Sequence, residues 1–298
     1  MTGPFRGLSA FPITPADPSG RVDLAALRRL VRRLVDAEVD SIGLLGSTGS
    51  YPYLTALERR RALDAAIEEA GGRTPILVGI GAMRTSEAIR IAEEAEAAGA
   101  VGGLLAPVSY TPLTDDEVFG LFADVSGATG LPICIYNNPA TTHFTIGNDL
   151  VRRIAELPRV GALKNLAAPP DRIVAEHQAT AAVVPNDFSV GYSADAYAPE
   201  ALLAGGSCWY SVAGGLFPRA CNAIVRAAAR GDSEETRRLT ARLEPLWALF
   251  RAHSSLRVMY AAANALKLCD AAPPRPILPL SPAIQTEIGA VVRRLDLA

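Results

Sequence analysis

Lysine is nearly missing from this chain. Of its 29 basic residues only Lys164 and Lys267 are lysine, and the other 27 are arginine. Histidine is scarce as well: His143, His177 and His253 are the whole set, and none pairs at metal-ligand spacing. The four cysteines, at 134, 208, 221 and 269, form no CxxC pair and are too few in 298 residues for a disulfide scaffold. These shortages argue against a zinc centre, a redox pair and a stapled secreted domain. There is no basic excess, with 29 Lys+Arg against 31 Asp+Glu, so nothing points to a nucleic-acid partner. No apolar stretch reaches membrane-spanning length without a charge, proline or glycine cluster, and MTGPFRGLSA has no cleavage pattern. A soluble cytoplasmic protein with no membrane partner is the expectation.

What the chain does have is apolar bulk, 49% of residues, enough for a large core. Short apolar runs alternate with amphipathic helical patterns. Strands are predicted at Gly7–Thr14, Ser41–Gly46, Pro75–Gly81, Val101–Pro107, Pro132–Asn137, Val160–Leu166, Ala181–Pro185 and Ser207–Val212. The runs are continuously apolar, as in strands buried on both faces of a parallel sheet. Gly71-Gly72, Gly99, Gly130 and Gly205-Gly206 mark the helix stops between them. Eight such units predict an α/β fold, a (β/α)8 TIM barrel, over 1–230; a doubly wound open sheet is the runner-up. Residues 231–298 predict a C-terminal three-helix extension, with helices near Ser233–Phe250, Ser255–Lys267 and Pro282–Leu295.

Barrel active sites lie at the C-terminal ends of the strands. There stand Gly46-Ser47-Thr48-Gly49-Ser50 after strand 2, Tyr136-Asn137-Asn138-Pro139 after strand 5 and Lys164-Asn165 in strand 6. An ammonium buried in a strand is costly unless it is paired or loses its proton. Lys164 is therefore either a strand-end lysine reaching solvent or a carboxylate, or a nucleophile toward a carbonyl. An arginine could not do the latter, because a guanidinium keeps its proton. Tyr136, at the matching end of the neighbouring strand, is either a core aromatic or a proton carrier. Ser47 and Thr48 either cap a tight turn or offer hydroxyls and amides to a carboxylate.

Taken together, and in order, these landmarks resemble the family of dihydrodipicolinate synthase and N-acetylneuraminate lyase, the pyruvate-dependent class I aldolases. Leu54-Thr55, Glu58-Arg59, Pro107, Gly161-Ala162-Leu163-Lys164, Gly191 and Ser211-Val212 complete the series across essentially the whole chain. The resemblance implies that Lys164 forms a Schiff base with pyruvate or another 2-oxo acid and that Tyr136 is the general acid/base. Ser47 and Thr48 would hold the carboxylate, Thr48 also relaying protons, and Gly191 would line the site through its backbone. Tyr210 would stand where the family usually has an aliphatic residue. Tyr110 would be the tyrosine that crosses a dimer interface to join the neighbour's relay, within a homotetramer built as a dimer of dimers. No metal or organic cofactor is required, because the lysine imine is itself the electron sink.

The departures bear on the substrate. Thr141 stands where synthases of the family carry an arginine for the second substrate's carboxylate, and a threonine cannot make that two-pronged contact. Ser50 and Asn165 stand where glutamates are usual. Asn138, Thr142, His143, Asn165 and Asp187 are candidates for the second-substrate region and would suit hydroxyl groups. The favoured reading is a lyase or aldolase for a 2-keto-3-deoxy sugar acid or an N-acetylneuraminate-like substrate. The alternatives are 4-hydroxy-tetrahydrodipicolinate synthesis from pyruvate and aspartate semialdehyde, and a non-catalytic barrel that binds a 2-oxo acid. A phosphate-binding isomerase barrel draws on Ala213-Gly214-Gly215 but leaves Lys164 and Tyr136 without a task.

Overall fold

A computed structural model describes residues 3–295. Eight parallel strands close into a barrel in chain order, with β8 pairing back to β1. They are β1 (Gly7–Ala10), β2 (Ser41–Leu44), β3 (Ile76–Gly79), β4 (Gly102–Leu105), β5 (Ile133–Tyr136), β6 (Val160–Leu166), β7 (Ser189–Ser193) and β8 (Cys208–Ser211). The helices between them are α1 (Leu24–Asp36), α2 (Ala56–Ala70), α3 (Thr85–Ala98), α4 (Asp115–Ala128), α5 (Pro139–Thr142), α6 (Asn148–Ala155), α7 (Ile173–Ala181) and α8 (Ala198–Leu203). α9 (Pro218–Ala229) follows β8, and α10 (Ser233–Arg242), α11 (Glu244–His253), α12 (Ser255–Ala265) and α13 (Pro282–Leu295) form the extension.

Local signals set these boundaries. Asp23, Thr55 and Thr114 cap α1, α2 and α4 through their side chains, and Glu117 returns the bond to Thr114 in a capping box. Gly71 and Gly99 end α2 and α3 in the left-handed region, where a side chain would be strained. The first helix of the extension is split. Pro245 sits in the first turn of α11, where its missing N–H costs no bond, and the helical run from Ser233 ends at Arg242 instead of passing through. The extension therefore holds four helices among the described residues.

One strand is displaced from its predicted place. The run Ala181–Pro185 forms the end of α7 and the turn after it, and β7 lies at Ser189–Ser193. Only Val190 and Tyr192 are large apolar residues in β7, so it carries a weaker apolar signal than the Ala-Ala-Val-Val run before it. Asn186 and Asp187 then precede β7, at the end of the barrel away from its mouth. Gly191 falls inside β7 and does not follow it.

Two apolar layers result. The larger lies between strands and helices; the smaller fills the barrel and includes Phe5, Phe11, Leu77, Leu104, Cys134, Ala162, Cys208 and Tyr210. Side chains on a strand alternate faces. Because Cys134 and Ala162 point inward, Tyr136 and Lys164, two residues further on, also point into the barrel, and the two are register partners.

Candidate active site

A cavity of about 640 Å³ opens at the C-terminal ends of the strands. Ser47, Thr48, Tyr136, Asn138, Thr141, His143 and Lys164 all line it, so seven of the candidate site residues converge. Lys164 is at its floor and 5% exposed. No carboxylate among the described residues lies within ion-pair distance of its Nζ. Three aromatic faces surround it instead: Nζ is 3.9 Å from the ring centre of Phe11, 4.5 Å from that of Tyr136 and 5.7 Å from that of Tyr210. Ring faces attract a cation without neutralising it or offering it a proton acceptor.

The position of Phe11 depends on two glycines. A Cβ on Gly43 would come within 2.2 Å of the Phe11 ring, and one on Gly46 within 2.7 Å. The ring occupies a notch in and just beyond β2 that any side chain would fill. Sequence reasoning misses Phe11, because a phenylalanine in an apolar strand reads as core.

Tyr136 is buried beside the lysine. Its hydroxyl lies 2.9 Å from Ser47 Oγ and accepts from Asn138 Nδ2 at 3.4 Å. Burial alone would raise its pKa. The positive charge of Lys164, with hydrogen bonding to Ser47 and Asn138, outweighs that, and the phenol ionises below its ordinary range. Ser47 and Thr48 belong to the turn after β2, and Thr48 is buried against the cavity wall.

Other candidates fall elsewhere. Gly191 is register partner of Lys164 but lies below the cavity, where a Cβ would strike the Tyr210 ring at 2.6 Å. The cavity wall from this strand is Ser193, Ala194, Asp195 and Ala196. Tyr210 is fully buried under Lys164, its hydroxyl 3.4 Å from Cys134 Sγ, and burial holds its pKa well above the usual value. It lies beneath the floor and does not line the cavity. Tyr110 is 93% exposed and does not line the cavity. His143 does line it. Thr142 is buried with its hydroxyl bonded to the Asn138 carbonyl, and Asn165 accepts from Asn137 Nδ2. Asp187 lies at the opposite end of the barrel.

Asp195 is buried at the cavity wall. It accepts from Trp209 Nε1 at 2.9 Å and from the amides of Val212 and Ala213 at 3.2 and 2.8 Å. Burial raises its pKa against the pull of these donors. The extension supplies one side of the mouth, through Trp247, Phe250, Arg251, Ser254, Leu256 and Arg257. The amphipathic pattern of those helices indicates packing on the barrel and gives no sign that they reach the site. Among the described residues no group of three His, Cys, Asp or Glu side chains is arranged to hold a metal, and no helix is long and apolar enough to cross a membrane.

Comparison with known proteins agrees with this architecture. The model of the dihydrodipicolinate synthetase family matches residues 4–295. A 4-hydroxy-tetrahydrodipicolinate synthase of Thiobacillus denitrificans is 32% identical over 293 residues, which span 98% of this chain and 97% of that protein. The crystal structure of a dihydrodipicolinate synthase from Agrobacterium tumefaciens is 51% identical with a TM-score of 0.96 and covers 98% of both chains. A monomeric dihydrodipicolinate synthase variant is 26% identical with a TM-score of 0.92, covering 99% of this chain and 98% of that one. With the barrel, the buried lysine and the tyrosine beside it in place, the chain belongs to the dihydrodipicolinate synthetase family, enzymes of the class I, lysine Schiff-base aldolase type.

Proposed function

We propose that Lys164 condenses with the C2 carbonyl of pyruvate or a related 2-oxo acid, and that the enzyme makes or breaks a carbon–carbon bond, or eliminates water, through the resulting imine. The observation that carries this is the buried Nζ with three aromatic rings around it, that of Tyr136 among them, and no carboxylate partner among the described residues. Tyr136 as phenolate takes the proton from the ammonium, and the free amine attacks C2. The tetrahedral adduct loses its oxygen as water, with Tyr136 returning the proton. The protonated imine then accepts the electron pair released at C3, giving the enamine. The π faces favour the cationic imine without competing for its proton. Ser47 and Thr48 hold the C1 carboxylate through hydroxyls and the amides of their turn. No step calls for a metal or an organic cofactor.

Borohydride reduction in the presence of pyruvate, read by intact mass and peptide mapping, tests this. The expected product is a secondary amine on Lys164. Absence of any adduct on a folded protein would remove the mechanism.

A second, finer reading is 4-hydroxy-tetrahydrodipicolinate synthesis, supported by the names of the curated relatives. The sugar-acid reading draws on Thr141, which supplies a hydroxyl and no charge from the loop after β5. Turnover of aspartate semialdehyde against a panel of 2-keto-3-deoxy sugar acids, N-acetylneuraminate and 4-hydroxy-2-oxoglutarate separates the two. Cytoplasmic location and a homotetramer, with Tyr110 reaching the neighbour's site, belong to the same proposal. The exposure of Tyr110 suits such a contact, and sedimentation of wild type and Tyr110→Ala tests it.

A further inference from the structure

The catalytic strands leave one charge in the cavity unmatched. Four charged residues line it: Lys164, Asp195, Arg251 and Arg257. Asp195 is committed to Trp209 and the turn after β8. Arg251 is paired with Glu244. Lys164 keeps its positive charge as a protonated imine, and the C1 carboxylate of the bound 2-oxo acid balances it. Arg257 has no carboxylate partner among the described residues. Its Nε donates to the Leu278 carbonyl at 3.3 Å, a bond open to solvent, which steadies the side chain and leaves both terminal nitrogens for a ligand.

We infer that Arg257 receives a second, terminal carboxylate at the far end of the substrate. The substrate class is then a 2-oxo acid, or the aldehyde derived from its outer half, that carries an acidic group distal to the carbon bonded to Lys164. The inference rests on the Schiff-base reading above. A carboxylate fits better than a phosphate: one guanidinium edge offers two parallel N–H donors to a monoanion, and no second free cation lines the cavity to balance a dianion. It also answers the loss of charge at Thr141. The cation for the second carboxylate comes from the first turn of α12, in the extension, and not from the loop after β5.

Imine trapping provides the test, because it reads binding at Lys164 without the unknown complete substrate. The probes are 2-oxoglutarate and 2-oxoadipate, each against the monocarboxylate of equal carbon count, 2-oxopentanoate and 2-oxohexanoate. The readout is the concentration giving half-maximal borohydride trapping. In the wild type at least one dicarboxylate is expected to trap at about tenfold lower concentration than its partner, as befits a charge-assisted hydrogen-bonded pair. In Arg257→Gln that ratio is expected to fall to near one, and Arg257→Lys to retain part of it. Equal trapping of both members of each pair by the wild type, or a ratio unchanged in Arg257→Gln, would overturn the inference while leaving the Schiff base intact. No pyruvate adduct on wild-type Lys164 would overturn both.

Discussion

Lys164 stands out in the sequence because it is one of two lysines and lies in an apolar strand. Its surroundings do not. The aromatic enclosure depends on Phe11 sinking into the notch at Gly43 and Gly46, a contact between β1 and β2 that no single run of residues reveals. Lys164→Arg preserves charge and approximate bulk but not nucleophilicity, so it should abolish borohydride trapping while near-UV circular dichroism stays native. Tyr136→Phe should lower kcat by roughly 10²–10⁴-fold, the range for losing a positioned acid/base. If the phenolate is the base, as proposed, the rate should rise with pH through the lowered pKa of Tyr136. Ser47 is in hydrogen-bond contact with that oxygen, where it would donate to the phenolate, and helps hold the pKa down. Ser47→Ala should therefore move the rising limb of log kcat to higher pH; a limb that stays put would assign it to another group.

Among elements, seven of the eight strands overlap the apolar runs that predict them, because burial on both faces leaves the signal unbroken by polar residues. β7 escapes that signal for a matching reason. It is polar at both ends, Ser189 and Ser193, and the stronger apolar run just before it forms the last residue of α7 and the turn that follows. The displacement moves the contribution of this strand to the cavity from Gly191, where the sequence puts it, to Ser193–Ala196. It also hides Asp195, the residue that ties β7 to the turn after β8. Asp195→Ala leaves an indole N–H and two backbone N–H groups without partners, at roughly 1–3 kcal/mol for each one buried. A loss of several degrees in Tm is expected by calorimetry, with β8 amides exchanging faster.

For the whole molecule, the repeat of βα units and the helical extension are both readable in the sequence, and the boundary expected at 230/231 falls in the short turn between α9 and α10. The two parts share one core. Leu246, Trp247, Val258 and Met259 of the extension are buried, and the Tyr260 hydroxyl donates to the Thr14 carbonyl, beyond β1. A chain ending at 230 should therefore expose this surface and aggregate, as gel filtration and circular dichroism would register. What the amphipathic pattern of the extension does not disclose is its direction of approach, since a helix lying over the mouth and one lying on the flank bury the same kind of face.

Because α11 and α12 line the mouth of a cavity whose proposed base and nucleophile stand on β5 and β6, the two proposed tasks fall to different stretches of the chain. The bond-making apparatus can stay fixed while the mouth changes. A relative carrying other residues at the start of α12 could accept a new partner without disturbing a single catalytic strand, and exchanging this tail between family members is a direct way to move selectivity from one to another.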